Sequence, residues 1–200
     1  MDTLILAALV FLAAYLFKAH AQKKRIALLA SHLVRYDIEK LMENLTSGYL
    51  RCLGEDDAER RQQIWNLLDD TASRLAGQFE RFAAEFARVD ESEARVSKLP
   101  LALPLAQALP GASFDMRRAL AIHARGIADA AANTQQLTAK SKAYLMSAEL
   151  FLMQHTCHWY CRSKAVASAR MLARHKTSYA QLIDSVAPKT RNDYLALVGS

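Results

Sequence analysis

Glycine and proline are scarce in this chain, with 6 and 4 residues among 200. The glycine-rich phosphate loop and the G-x-S-x-G nucleophile turn both need glycines at fixed spacings, and neither motif occurs here. The H-E-x-x-H zinc-protease motif is missing as well. The sequence therefore favours a non-catalytic protein that binds no cofactor.

Cysteine is also rare, and its number is odd: Cys52, Cys157 and Cys161. Secreted domains stabilised by disulfides normally carry an even set, so we expect reduced thiols. What the chain has instead is a composition rich in Ala and Leu that is 52% hydrophobic. These residues favour helices, and we predict an all-α fold.

An uncharged, almost wholly apolar stretch comes first, at residues 3–17. As a helix its 15 residues span about 22 Å, short of the roughly 30 Å hydrocarbon core of a bilayer. Residues 19–21 can extend the span while Lys18 reaches back to the headgroups, and local thinning of the bilayer can supply the remainder. We interpret residues 1–21 as a single-pass membrane anchor that contacts the bilayer through residues 3–17.

Two alternatives to an anchor remain open. Residues 19–21 have the A-x-A form of a signal-peptide cleavage site, although acidic Asp2 stands where a signal peptide is positive. A buried core helix is the other alternative. For an anchor, the flanking cations set the orientation, because they stay preferentially on the cytoplasmic side. Four follow the apolar stretch and none precedes it, which predicts a cytoplasmic C-terminal domain: Lys18, Lys23, Lys24 and Arg25.

Residues 22–97 are predicted to form a hairpin of two long helices. No proline interrupts residues 4–53, so the anchor and the first soluble helix are expected to be one continuous rod. The second helix, at about residues 58–96, carries a heptad seam that must face another helix. Its aromatic content favours a bundle core over a homomeric coiled coil. The seam consists of Trp65, Leu68, Ala72, Leu75, Phe79, Phe82, Phe86 and Val89.

Residues 98–112 form a loop of unusual apolarity, because Pro100, Pro104 and Pro110 exclude a long helix there. Exposed loops are normally polar, so the leucine side chains of this loop are expected to be buried against another surface that covers them. We favour the end of the bundle as that cover, with a partner-docking segment and a membrane-surface contact as alternatives. The candidate interaction residues are Leu99, Leu101, Leu103, Leu105 and Leu109.

Residues 113–187 are predicted to complete the bundle, and residues 188–200 to form a C-terminal tail. Ser113 is a candidate N-cap, and breaks are expected near Gly126 or residues 132–134 and near residues 162–164. Residues 143–161 are long enough for a second membrane span. Four polar side chains oppose that reading, so we predict a central buried helix instead. They are Glu149, Gln154, His155 and His158.

One cluster has the chemistry of a metal site: His155, Cys157, His158 and Cys161. Imidazole and thiolate groups one helical turn apart suit Zn²⁺ or Cu⁺. The paired C-x2-C pattern of structural zinc sites is missing, and cysteine is often buried without a chemical role. Buried packing is therefore favoured, with a metal- or small-molecule-responsive sensor as the alternative function.

The charge is unevenly distributed. Residues 37–95 hold 14 acids and 8 bases, whereas residues 140–191 hold 9 bases and 2 acids. A basic surface is expected from Arg162, Lys164, Arg170, Arg174 and Lys176. Anionic headgroups explain it as well as nucleic acid does, so nucleic acid is a disfavoured partner.

The sequence thus predicts a membrane-anchored helical scaffold, adaptor or assembly subunit, with a protein partner or a second copy of itself. A membrane-proximal accessory subunit that binds nucleic acid is a further alternative. Both depend on the anchor and on its orientation.

Orientation is testable with a thiol reagent that does not cross membranes. We expect Cys52, Cys157 and Cys161 to stay unmodified in intact cells and to react after lysis and unfolding, because a cytoplasmic domain is shielded by the bilayer. Reaction in intact cells would reverse the orientation. A mature N-terminus at Gln22 would instead establish cleavage of a signal peptide.

Overall fold

The computed structural model of the chain describes residues 2–99 and 111–199. The protein is 80% helical, which confirms the all-α class. The described part contains nine helices and two three-residue strands. The helices are α1 Asp2–Leu33, α2 Ile38–Leu53, α3 Ala58–Phe86, α4 Glu91–Ala94, α5 Met116–Ala131, α6 Ala139–Cys161, α7 Lys164–His175, α8 Tyr179–Ser185 and α9 Pro188–Val198. The strands are β1 Arg95–Ser97 and β2 Ser113–Asp115.

The first half of α1 is exposed, and its second half packs on the bundle. Side chains from Thr3 to Phe17 are all exposed, while Leu29 is buried against the core. Within the described ranges, α1 is the one helix long and apolar enough to cross a membrane, with a mean hydropathy of 2.0. The bundle does not bury the apolar side chains of its first half, so these side chains require another apolar environment.

The expected continuous rod ends at Leu33, and α2 begins only at Ile38. Neither proline nor glycine causes this break. The backbone N–H of Asp37 donates to Oε1 of Gln78 at 2.8 Å, and the Tyr36 ring packs edge-on against Phe82. These contacts to α3 outweigh the helical propensity of the local sequence.

Helix α3 is antiparallel to both α1 and α2. Lys24 forms an ion pair with Glu93 at 2.6 Å, just beyond the end of α3. At the other end, the Tyr49 ring of α2 packs on Trp65, with 5.5 Å between centroids. Hence α3 returns to the end of the bundle from which the exposed half of α1 emerges. We call this the proximal end, and it comprises residues 22–25, 93–99, 111–115, 159–164 and 198–199.

The heptad seam is buried in the core of this single chain. Phe79, Phe82 and Phe86 are 0% exposed, and the other five seam residues are buried as well. Helices α2 and α5 both pack along α3. The bundle thus covers the seam by itself, without a second chain.

The second helix of the predicted hairpin was expected to run to about residue 96, but α3 ends at Phe86. Residues 95–97 instead pair antiparallel with residues 113–115, with Val96 opposite Phe114. Helix α6 holds this two-stranded ribbon, β1 and β2, in place. Its Trp159 Nε1 donates to the Ser97 carbonyl at 2.9 Å, and the Trp159 ring packs against Phe114. Helix α5 is consequently capped by Asp115 rather than by Ser113.

The two ends of the proline-leucine loop lie side by side, since the Lys98 N–H donates to the Ala112 carbonyl at 2.9 Å. Leu99 is 37% exposed. The other candidate interaction residues lie outside the described residues: Leu101, Leu103, Leu105 and Leu109.

Helix α6 is the central buried helix that the sequence predicts. It packs against α1, α2, α5, α7 and α8, and twelve of its side chains are buried. The chain breaks on either side of it, at residues 132–138 and 162–163. Residues 188–198, expected to be a tail, form helix α9. The Tyr194 and Val198 side chains of this helix are buried in the core and hold it against the bundle.

The Phe79→Ala substitution should lower the free energy of unfolding by about 3 to 5 kcal/mol, since it empties a fully buried site. Denaturant unfolding of the full chain in mild detergent measures this. Leu67→Ala on the same helix is the matched control, because Leu67 is 68% exposed. Equal losses in the two variants would show that the seam is not core.

Candidate functional site

An apolar groove lies between the second half of α1, the start of α2, and the α6 and α7 pair. Its volume is about 610 Å³, within the range typical of ligand pockets. The break at residues 34–37 creates it, because α2 leaves the line of α1 and uncovers the side of α6. The lining residues include Ile26, Leu29, Ala30, Leu33, Val34, Phe79, Phe82, Met42, Met153 and Cys157.

The groove has an apolar floor and a rim with charges of both signs. Val34 is 80% exposed on its edge, an unusual position for a large apolar side chain. Asp37, Glu39 and Lys40 stand at its α2 end. Arg162 and Arg170 stand on the α6 and α7 side. An apolar floor with a mixed rim matches an amphipathic segment better than a wholly apolar one.

The four predicted metal-ligating residues do not converge. Three of them, Cys157, His158 and Cys161, line the groove. His155 lies on another face of α6, where its Nε2 atom is 3.0 Å from Ser168 Oγ. Across residues 2–99 and 111–199, no three His, Cys, Asp or Glu side chains are grouped so that they could hold a metal ion. The metal hypothesis therefore gains no geometric support.

The local chemistry of these residues also disfavours metal binding. Burial raises the pKa of the Cys161 thiol to about 11 and raises that of Cys157 further, so both thiols stay protonated at neutral pH. Metal binding requires thiolates. His158 Nδ1 lies 3.2 Å from Nη1 of Arg170, and burial together with Arg170 and Arg174 lowers the pKa of this imidazole.

A second polar feature is a buried acid at the centre of the bundle. Glu149 is 0% exposed, and its Oε1 atom accepts a hydrogen bond from the Ala187 N–H at 3.0 Å, at the start of α9. A carboxylate is favourable at a helix N-terminus. Gly126 makes room for it, because a Cβ atom there would lie 2.5 Å from Glu149 Oε2. Burial nevertheless raises the pKa of Glu149 to about 7.

Two histidines are buried in the same bundle core. His123 Nε2 lies 2.9 Å from Thr156 Oγ1, which also meets the Tyr194 hydroxyl at 3.0 Å. Burial, reinforced by His155, lowers the pKa of His123 to about 3. Burial, with Lys164 and His158 nearby, lowers that of His155 to about 4. Both rings are neutral in the folded protein, which identifies them as core residues.

Sequence reasoning missed this polar centre as a unit. Glu149 was recognised only as an obstacle to a membrane span, and His155 both as such an obstacle and as a candidate metal ligand. His123, on α5, was not among the candidate site residues, and only the fold brings it beside Thr156 of α6. The signal that could have found them is the presence of titratable side chains within otherwise apolar helical stretches.

The predicted basic surface is divided between two places. Arg162 and Lys164 stand at the proximal end, where Arg162 Nη1 is 2.9 Å from Gln22 Oε1. The Lys164 ammonium lies 4.4 Å from the centroid of the Tyr179 ring. Arg170 borders the groove, while Arg174 and Lys176 follow along α7 away from the proximal end.

Comparison of the chain with protein-family models, with curated proteins and with solved structures finds no match. Function therefore has to be argued from the geometry of the chain itself.

The buried titratable groups predict how stability depends on pH. Between pH 4.5 and 6.5, the unfolded chain gains a proton at each of His123 and His155, whereas the folded chain holds an extra one at Glu149. These three groups leave a net difference of one proton and should lower stability by about 1.4 kcal/mol per pH unit as the pH drops. Burial also lowers the pKa of His158 and of His175, so these two imidazoles steepen the fall further.

Glu149→Gln removes the carboxyl group whose extra proton in the folded state offsets those that the histidines bind in the unfolded state. The glutamine amide oxygen can still accept the hydrogen bond from the Ala187 N–H. The slope below pH 6.5 should then steepen by one proton, or about 1.4 kcal/mol per pH unit, relative to the unmodified protein. Urea unfolding at pH 5 and pH 6, followed by tryptophan fluorescence in detergent, measures both slopes. An unchanged slope in the variant would contradict the raised pKa of Glu149.

Proposed function

We propose that this protein is a non-catalytic, membrane-anchored adaptor or assembly subunit that holds an amphipathic helix of a protein partner in its groove. The observation that carries the proposal is an open apolar groove on a domain whose own core is already well filled. Folded soluble domains rarely leave such a surface uncovered unless it binds something.

The anchor is the exposed half of α1, at residues 3–17. The cations that follow it support a cytoplasmic position for the bundle. In that arrangement the groove begins at Ile26, nine residues and about 14 Å beyond Phe17. A partner bound there would be held just above the headgroups.

The dimensions of the groove support a helical occupant. From Ile26 to Leu33 the α1 wall of the groove rises about 10 Å, roughly two helical turns, and the start of α2 extends it beyond the bend. Helices that dock in grooves present apolar anchors at steps of three and four and keep charges at their edges. The acidic residues at one end of the rim and the arginines on the other side would set the direction of the bound helix.

The partner is either another protein or a second copy of this chain. The apolar residues Leu99, Leu101, Leu103, Leu105 and Leu109 stay a predicted second contact segment. The metal-sensor and nucleic-acid alternatives have weaker support, since no metal-holding group occurs in the described residues and the basic residues are divided between two places.

Photo-crosslinking from single positions in native membranes tests the groove. A crosslinking amino acid at Val34 should capture one defined partner, and the same group at Leu50 should not. Both positions are exposed, at 80% and 77%, but only Val34 lines the groove. A size equal to two chains would identify the partner as a second copy.

Ala30→Glu is the disrupting variant, because Ala30 is exposed in the groove and its replacement leaves the core intact. It should abolish crosslinking from Val34 without lowering the melting temperature. Identical crosslinks from Val34 and Leu50, or full crosslinking in Ala30→Glu, would refute the groove as the partner site.

A further inference from the structure

The proximal end of the bundle carries positive charge that the protein does not neutralise. Ion pairs satisfy some of its cations, for example Lys24 with Glu93 and Arg117 with Asp115. Others make no ion pair with any carboxylate of residues 2–99 and 111–199. Besides Lys98 beside β1, five cations on α1 and at the junction of α6 and α7 are of this kind: Lys18, Lys23, Arg25, Arg162 and Lys164.

We propose that these five cations form a binding surface for the headgroups of anionic phospholipids. The proposal rests on the membrane anchor and not on a partner in the groove, although Arg162 borders both surfaces. It adds a second, polar attachment of the bundle to the membrane, made by α6 and α7 as well as by α1.

The position of these cations relative to the bilayer follows from the distance along α1. Gln22 follows Phe17 by five residues, a rise of about 7.5 Å. The headgroup layer of one leaflet is about 5 to 8 Å thick. The Arg162 guanidinium donates to Gln22 at 2.9 Å, and placing Phe17 at the edge of the hydrocarbon core would put it at the level of the phosphates.

Arg25 shows that the surface is incomplete without an anion. Its guanidinium lies 5.7 Å from the centroid of the Tyr160 ring and makes one long contact, 3.5 Å, to the Tyr160 carbonyl. Burial lowers the pKa of this side chain, which means that its charge is poorly solvated. A phosphate oxygen would supply the missing acceptor, and guanidinium and phosphate match in shape and charge.

Lys164 is held in place by two aromatic rings. Its ammonium lies 5.2 Å from the Trp159 centroid and 4.4 Å from that of Tyr179. The cation is therefore positioned before any lipid arrives, which reduces the loss of side-chain entropy on binding. Phospholipid with a net negative headgroup fits this surface, whereas a zwitterionic headgroup would bring its own cation.

The test uses the full chain in phosphatidylcholine vesicles, with spin-labelled phosphatidylglycerol and phosphatidylcholine as probes. Electron paramagnetic resonance measures the preference of the protein for one probe over the other. Each cation near an anionic surface contributes up to about a fivefold preference. We expect phosphatidylglycerol to be favoured several-fold, and the preference to be lost in 1 M salt, where the Debye length is about 3 Å.

The double variant Arg162→Gln with Lys164→Gln should lose most of this preference. The matched control neutralises two exposed cations away from the proximal end, Arg51→Gln with Arg74→Gln, and should keep it. If the first variant unfolds, the salt dependence of the unmodified protein still decides the question.

Three results would overturn the proposal: equal affinity for both probes, a preference unaffected by salt, or an equal loss in the control variant. Displacement by millimolar inorganic phosphate would show a site for free phosphate instead of lipid. Failure of the chain to float with phosphatidylcholine vesicles would refute the anchor, whereas flotation without headgroup preference would refute this inference alone.

Discussion

The structure depends on the burial of one helix, α6, which is apolar but not wholly so. Glu149 and His155 are 0% exposed on it, and buried polar groups must be hydrogen-bonded. Their partners come from different elements: the backbone at the start of α9 for Glu149, and Ser168 of α7 for His155. These contacts help to hold α7 and α9 against α6, although Glu149 Oε2 and His155 Nδ1 find no hydrogen-bond partner among the described residues.

The sequence predicted the parts of the fold that local periodicity determines. The apolar anchor, the heptad seam from Trp65 to Val89 and the central position of α6 all follow from spacing within one segment. The α1–α2 break and the β-ribbon do not, because each depends on a partner far along the chain. Asp37 needs Gln78, and Ser97 needs Trp159. Of the candidate site residues, Arg162 was recognised as basic, but only the fold brings it beside Gln22.

The groove arises from the same break that the sequence did not reveal. With α1 and α2 in one line, the rod would be expected to cover the side of α6 around Met153 and Cys157. The bend at residues 34–37 moves α2 onto α3 and leaves that side open, bordered by Val34 and Arg170. The groove thus lies where the regular helix of α1 is interrupted.

Helix α1 runs without interruption from its exposed half into the groove wall, from Asp2 to Leu33. Because an α-helix is stiff over such a length, it acts as a lever whose two arms cannot tilt separately. A change in bilayer thickness alters the tilt of a membrane helix. With the exposed half of α1 in a bilayer, such a tilt would move Ile26 and Leu33 relative to α6, and the width of the groove would depend on the thickness of that bilayer.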